Sequence, residues 1–244
     1  MSIALTERIK CSECPIRHRA VCARCDDSEI EILDTMKSYR SFAAGETIQW
    51  RGEPLEYVSS VVKGVASLTK TLEDGRTQMV GLLLPSDFIG RPGRGQIDFD
   101  VVAATDVTLC SFKSIPFANM VETTPHLSQR IMEMALDELD AARDWMLLLG
   151  RKTAREKIAT FIEMLVRRQH VSGLDGAQPG LTLPLTREAI ANYLGLTLET
   201  VSRQMSAFKK EGIVAFQGRS HFSVLNLTAL HEATGDDADG GMIS

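Results

Sequence analysis

The chain has 244 residues, of which 44% are hydrophobic and 24% charged, and a formal net charge of −5. This is ordinary globular composition, enough for about two domains. The N-terminus lacks an apolar run and no stretch approaches the roughly 18 apolar residues a membrane span needs, so the expectation is a cytoplasmic protein with reduced thiols and no membrane partner. The charge is uneven: residues 1–150 hold 16 basic against 22 acidic side chains, residues 151–230 hold 11 against 6, and the tail from His231 holds four acids and no bases. A basic module inside an acidic protein points to phosphate backbones as its partner.

Four of the five cysteines, Cys11, Cys14, Cys22 and Cys25, lie close to the N-terminus, and Cys110 stands alone far down the chain. In a reducing compartment such clustering indicates a metal or redox centre rather than structural disulfides, and paired Cys-x-x-Cys is good zinc spacing. An amphipathic helix is expected over residues 27–36, with Ile30, Leu33 and Met36 on one face and Ser28 as its cap. Residues 38–117 change texture to short runs suited to strands, at 57–62, 65–71, 78–84 and 101–112, divided by turn signals. Asp74-Gly75 between two of these runs predicts a hairpin, and strands this short suggest a small barrel or roll. Cys110 falls on the last of them.

A single long helix follows, over residues 125–149, roughly 37 Å in length at 1.5 Å per residue. Met132, Ala135, Leu139, Ala142, Met146 and Leu149 succeed one another at the alternating three- and four-residue spacing of a coiled-coil seam. Leu136, Trp145, Leu147 and Leu148 supply a second apolar face, so the expectation is one face for the helix's own domain and one for a second copy of the chain, a homodimer. After a helix at 154–168 and a Gly- and Pro-containing loop, residues 187–205 read REAIANYLGLTLETVSRQM. Ala191 permits close helix approach, Gly195 the left-handed turn, and Val201 fills the core between two helices. Thr197 caps the second helix, with Leu198 expected to face inward. Apolar runs at 213–216 and 222–227 flank a Gly218-Arg219-Ser220 turn as a wing would. This is the pattern of a winged helix-turn-helix. On its second helix Glu199, Ser202 and Arg203 project together near the end that enters the major groove, where Arg203 suits the two acceptors of a guanine and Glu199 an amino group.

In this order the parts resemble the cyclic-AMP receptor/FNR family of transcription regulators over nearly the whole chain. Gly45-Glu46 with Gly52-Glu53, the block from Met146 to Gly150, the block at 154–161 and Glu199-x-x-Ser202-Arg203 are similar to its FNR branch, the FnrL type within it. The resemblance implies an α+β chain with an N-terminal β-roll of the cyclic-nucleotide-binding, jelly-roll kind, a long dimerisation helix and a C-terminal winged helix-turn-helix. The segments divide as a cysteine-rich cluster-binding stretch at 1–26, the roll at 27–117, the dimerisation helix at 118–150, the DNA-binding domain at 151–230 and an acidic flexible tail at 231–244. It also implies that Glu199, Ser202 and Arg203 read an inverted repeat of the TTGAT…ATCAA kind in double-stranded DNA, and that residues 73–90 touch RNA polymerase.

Cyclic-nucleotide binders of this superfamily carry a Gly-Glu-Leu element and a phosphate-clamping Arg in the roll. The matching stretch, 88–104, has Arg91 in place of the glutamate and Asp98 and Asp100 where the arginine is needed, so no cyclic nucleotide is expected. For the cysteines the resemblance implies a [4Fe-4S] cluster held by Cys11, Cys14, Cys22 and Cys110, Cys22 fitting better than Cys25 by its distance to the Gly45-Glu46 turn. Such a cluster would form without oxygen, promote dimerisation and DNA binding, and be lost in oxygen. A zinc-stabilised or thiol-sensing regulator of the same fold is the alternative. An enzyme is not expected, since the sequence holds no dinucleotide fingerprint, phosphate loop or nucleophile elbow.

Overall fold

The computed structural model describes residues 9–170, 181–182, 185–217 and 221–236. It opens with a short 3₁₀ turn at Cys11–Glu13, irregular turns through residue 24, and helix α1 at Asp27–Met36. The cap of α1 is Asp26, not Ser28: the Asp26 carboxylate accepts from the Glu29 N–H while the Glu29 carboxylate accepts from the Asp26 N–H. This reciprocal arrangement satisfies two backbone donors, where a serine two residues later would satisfy one.

The roll consists of two four-stranded antiparallel sheets. One has the order β1 (Ser38–Phe42), β8 (Val107–Lys113), β3 (Tyr57–Lys63), β6 (Phe88–Ile89); the other β2 (Thr47–Gln49), β7 (Asp100–Ala103), β4 (Ala66–Thr71), β5 (Thr77–Leu83). Val61, Ala66, Val101 and Leu109 are fully buried in its core. The expected Asp74-Gly75 hairpin joins β4 to β5, with Gly75 at φ 85°. The run at 101–112 is not one strand. It breaks at residues 104–106 into β7 and β8, which belong to opposite sheets. Gly64 sits against that break: a Cβ there would lie 2.1 Å from the Asp106 carbonyl oxygen, so the close approach of the two turns admits no side chain.

Helix α2 (Ser114–Thr123) leads to α3 (Pro125–Arg151), which has proline in its first turn where no N–H is required. Helix α4 (Ala154–His170) begins the C-terminal domain, followed by β9 (Leu181–Thr182), α5 (Arg187–Leu194), α6 (Leu198–Lys210), β10 (Val214–Gln217), β11 (His221–Val224) and α7 (Leu227–Glu232). Strands β10, β11 and β9 form the antiparallel wing sheet. The Gly218-Arg219-Ser220 turn lies outside the described residues. Residues from His231, assigned above to a free tail, remain packed as far as Asp236: Thr234 is fully buried and the Asp236 carboxylate lies 2.6 Å from Lys152 Nζ.

The two domains meet through a shared core. Val65 and Leu84 of the roll belong to the same buried cluster as Ile158, Phe161, Ile190 and Leu194. Around it, Gln78 donates to the Asn192 carbonyl at 2.7 Å and Arg168 pairs with Asp87 at 2.9 Å.

Candidate functional site

Strand β8 carries Cys110, paired in register with Tyr39 on one side and Ser60 on the other. Directly opposed residues project to the same face. That face, shared with Val58 and Phe112, is covered by the N-terminal segment and by Phe117 of α2, since Val21, Cys11, Cys110, Val58, Phe112 and Phe117 all belong to one buried cluster. All five cysteines are free thiols.

Burial pushes the Cys110 thiol far above its usual range, and the next contributions come from Cys11, Cys14 and Cys22. Cys22 is pushed up to about 11, by burial first and then by Cys14 and Cys11. Cys25 is pushed up to about 12, by burial first and then by Glu29, Cys22 and Asp26. Cys11, Cys25 and Cys110 belong to one buried cluster, with Cys22 packed against it. The gathering is loose: among the described residues, no three cysteine sulfurs lie within 4.8 Å of one another. A single tetrahedral zinc with bonds of about 2.3 Å would hold its sulfurs about 3.8 Å apart.

Cys11 is fixed by α1. Its N–H donates to the Asp34 carboxylate at 2.7 Å, and Lys37, paired with Asp34, donates to the Ile9 carbonyl at 2.6 Å and approaches the Cys11 sulfur at 3.5 Å. Burial and Asp34 raise the Cys11 thiol, and Lys37 opposes them.

A set of contacts that the sequence gave no sign of ties this segment to α3. The Arg130 guanidinium donates to the carbonyls of Arg19 at 2.6 Å and Ala20 at 3.4 Å. Glu133 lies between Arg130 and Arg24, at 3.4 and 2.7 Å, and His126 Nδ1 sits 3.0 Å from the Glu29 carboxylate. Positions 126, 130 and 133 form one face of α3. Their partners lie about a hundred residues away, so only the folded chain brings them into view.

The seam residues Met132, Ala135, Leu139, Ala142, Met146 and Leu149 are all exposed in the single chain, and Leu136 and Leu147 are exposed beside them. The buried anchors of α3 are Leu127 and Leu148. Trp145 stacks on Tyr193 of α5 with ring centroids 4.1 Å apart, joining the long helix to the first helix of the helix-turn-helix pair.

That pair is built as expected. Thr186 caps α5 and Thr197 caps α6, each hydroxyl accepting a backbone N–H. Gly195 adopts φ 62°, and its neighbour Leu196 donates to the Ala191 carbonyl at 2.9 Å. The buried ammonium of Lys157 donates to the Leu194 carbonyl at 3.3 Å, satisfying the C-terminal end of α5. Val201, Met205 and Phe208 are buried in the core. Glu199 and Arg203 are exposed on the outer face of α6, with Ser202 partly exposed between them, and the two charged residues form no ion pair with each other. The Glu199 carboxyl is held below its usual range by its own backbone N–H and by Thr197. Leu198 does not face the core: it is 45% exposed, because the turn through Leu196 brings α6 in with its first residue on the outer side.

Comparison with known proteins agrees with this arrangement. Residues 39–124 match the cyclic nucleotide-binding domain and residues 156–233 the Crp-like helix-turn-helix domain. The transcriptional activator protein FnrL of Cereibacter sphaeroides is 57% identical over 235 residues, 96% of this chain and 95% of that protein. The nitrogen fixation regulation protein FixK of Bradyrhizobium diazoefficiens is 41% identical over 84% of this chain and 86% of its own length. The fumarate and nitrate reduction regulatory protein of Escherichia coli K12 is 30% identical over 93% of this chain and 91% of its own. Among solved structures, FixK2 from Bradyrhizobium japonicum superposes with a TM-score of 0.75 at 35% identity, covering 83% of this chain and 99% of that one. These relatives are regulators, not enzymes, and among the described residues no helix is long and apolar enough to cross a membrane. The chain belongs to the CRP/FNR family of DNA-binding transcription regulators.

Proposed function

We propose that the protein is an oxygen-responsive transcriptional activator in which Cys11, Cys14, Cys22 and Cys110 hold a [4Fe-4S] cluster. The observation that carries this reading is that Cys11 of the N-terminal segment and Cys110 of a strand about a hundred residues away lie in one buried cluster with Cys22 packed against it, Cys11, Cys14 and Cys22 being the groups that after burial raise the Cys110 thiol. Buried thiols such as Cys22 and Cys110, raised by burial and by neighbouring cysteines, are poor neighbours as thiolates unless positive charge is shared among them, which is what iron would supply. A cluster there supplies the oxygen sensitivity, being stable without oxygen and lost in it.

The chain's own residues do the rest. Lys37 and Asp34 hold Cys11 in place; Arg130, Glu133 and His126 bind the loop to α3; the exposed seam pairs with a second copy; and Glu199, Ser202 and Arg203 read each half of an inverted repeat of the TTGAT…ATCAA type. Two acids, Asp98 and Asp100, stand where a cyclic nucleotide's phosphate would need a base, so the roll works here as a scaffold for the thiols. RNA polymerase is the proposed partner of the β4–β5 tip. Leu72 there is exposed, whereas Asp87, further along the same segment, is committed to Arg168 and to the Leu84 N–H.

Anaerobic purification tests the reading. Brown protein with about four irons per chain, bleached by air with loss of DNA binding and losing iron on Cys110→Ala, is the expected result. Colourless protein containing zinc, or iron content indifferent to Cys110→Ala, refutes it.

A further inference from the structure

Ser60 is 2% exposed, and its hydroxyl is one of two buried side-chain polar atoms among the described residues with no hydrogen-bond partner. Its neighbour Ser59 shows what a satisfied hydroxyl looks like in this strand: it points to the other face of the sheet and meets the Ser111 hydroxyl at 2.8 Å. Burying a hydroxyl without a partner costs about 1–3 kcal/mol, so such a group is retained against a standing penalty.

The position of Ser60 supplies the reason. It lies directly opposite Cys110 on the neighbouring strand, and opposed residues put their side chains on one face with Cβ atoms about 5 Å apart. On the far side of Cys110 the matching position is Tyr39, whose hydroxyl is already occupied by the Ile9 carbonyl at 3.4 Å. Tyr39 belongs to the same pocket, because after burial the groups that raise its hydroxyl are Cys110, Cys14 and Cys11. The face around Cys110 therefore presents one unused O–H donor, and the groups converging there are sulfurs.

We propose that Ser60 donates a hydrogen bond to a sulfur of the iron–sulfur group, either the Cys110 thiolate or a bridging sulfide, and so sets its redox poise and its resistance to oxygen. This rests on the cluster assignment above. A donor to sulfur stabilises the more negative, reduced state and withdraws charge from the metal, raising the reduction potential. The hydroxyl is unsatisfied without the group and satisfied with it, so it also adds to the free energy that couples metal loading to folding.

The test is Ser60→Ala, with Ser60→Thr as the variant that keeps the hydroxyl. Expected for S60A are wild-type iron per chain, a midpoint potential shifted negative, and decay of the anaerobic chromophore in air at least threefold faster, with S60T near wild type in both. In metal-free protein S60A should melt no lower than wild type, because the hydroxyl it removes had no partner there. Potential and decay rate equal to wild type would overturn the proposal, a water then being the partner. So would an equal loss of melting temperature in metal-free and loaded protein, which marks a purely structural hydroxyl. Wild-type chain that takes up no iron would instead sink the cluster assignment itself.

Discussion

Arg130→Ala tests the physical link between the thiol loop and the dimer helix. In the folded chain the Arg130 side chain is 18% exposed and donates to the Arg19 carbonyl at 2.6 Å and, at the longer 3.4 Å, to that of Ala20. A charge-assisted hydrogen bond contributes about 1.5–3 kcal/mol. Ala20's carbonyl also accepts from Ala23 N–H at 3.0 Å, so it loses little, and Glu133 keeps Arg24. The net cost of truncation is therefore about 2 kcal/mol, close to a 30-fold fall in the equilibrium constant for docking the loop on α3. The loop has its own reporters: the N–H groups of Arg17, Arg19, Ala20, Ala23 and Cys25 donate to carbonyls within residues 14–22. Their hydrogen exchange in metal-free protein should quicken by at least tenfold, while the amides of α6 stay unchanged. Loop exchange within twofold of wild type would show that the loop holds its position by burial of Val21 and Ala20 alone, and that Arg130 is not its anchor.

Cys25→Ala should retain full iron on anaerobic reconstitution and cost about 1 kcal/mol for the lost buried sulfur, whereas Cys22→Ala should lose the iron; the reverse pattern, read by metal analysis, would exchange the two roles. In metal-free protein the Cys25 thiol is raised from 9.0 to about 12 by burial, so its contribution to stability is complete below pH 9 and fades as pH rises toward 12. The alkaline arm of a melting-temperature profile should accordingly be shallower in Cys25→Ala. Leu139→Asp removes an exposed seam side chain from both copies and places two carboxylates together; with about 1.5 kcal/mol lost per copy, sedimentation should show dimer affinity down at least a hundredfold with iron content intact. Arg203→Ala should cost about 1–3 kcal/mol on the cognate repeat in a fluorescence-anisotropy titration, much less on a repeat altered at the base it reads, and leave the chromophore untouched.

What the sequence disclosed was whatever a local rule governs. The Asp74-Gly75 hairpin, the Gly195 turn and the Thr197 cap depend on backbone geometry within a few residues, and all three stand as read. The three-four spacing on α3 is likewise a property of one helix, and it left six exposed apolar side chains in a single chain. The errors arose where a local signal met tertiary competition. Residues 101–112 read as one strand because every residue suits a strand, yet closing a roll requires the chain to change sheets, and it does so at residues 104–106. Ser28 is a good cap by type, but Asp26 with Glu29 satisfies two donors where serine satisfies one. Leu198 reads as core by hydropathy, but the path of the turn before it places it outside. The strap of Arg24, Arg130 and Glu133 and the stranded hydroxyl of Ser60 had no local signature, since each exists only because elements far apart in the chain were brought together.

The geometry of α3 narrows how a thiol centre can govern dimerisation. At 100° per residue, positions 126, 130 and 133 fall within about 60° of one another, while the seam from Met132 to Leu149 is centred about 180° round the helix. The thiol loop therefore grips the back of the helix whose front carries the proposed dimer seam. It does not itself contribute to the dimer surface, so its state can reach that surface only by moving or steadying α3. Two attachments are available: the covalent path from Cys110 through β8 and α2, and the direct strap from residues 19–29 to residues 126–133. At its other end α3 is held by Leu148 in the shared core and by the stack of Trp145 on Tyr193. A helix fixed near the DNA-binding pair and gripped by the thiol loop at its N-terminal half can change the tilt of its seam with small displacements, and a weak helix pair needs only a few kcal/mol to change partner state. If the covalent path alone carried the signal, metal loading would strengthen the dimer equally in wild type and Arg130→Ala; if the strap carries it, the gain on loading shrinks in the variant by the same roughly 30-fold that its loss costs the loop.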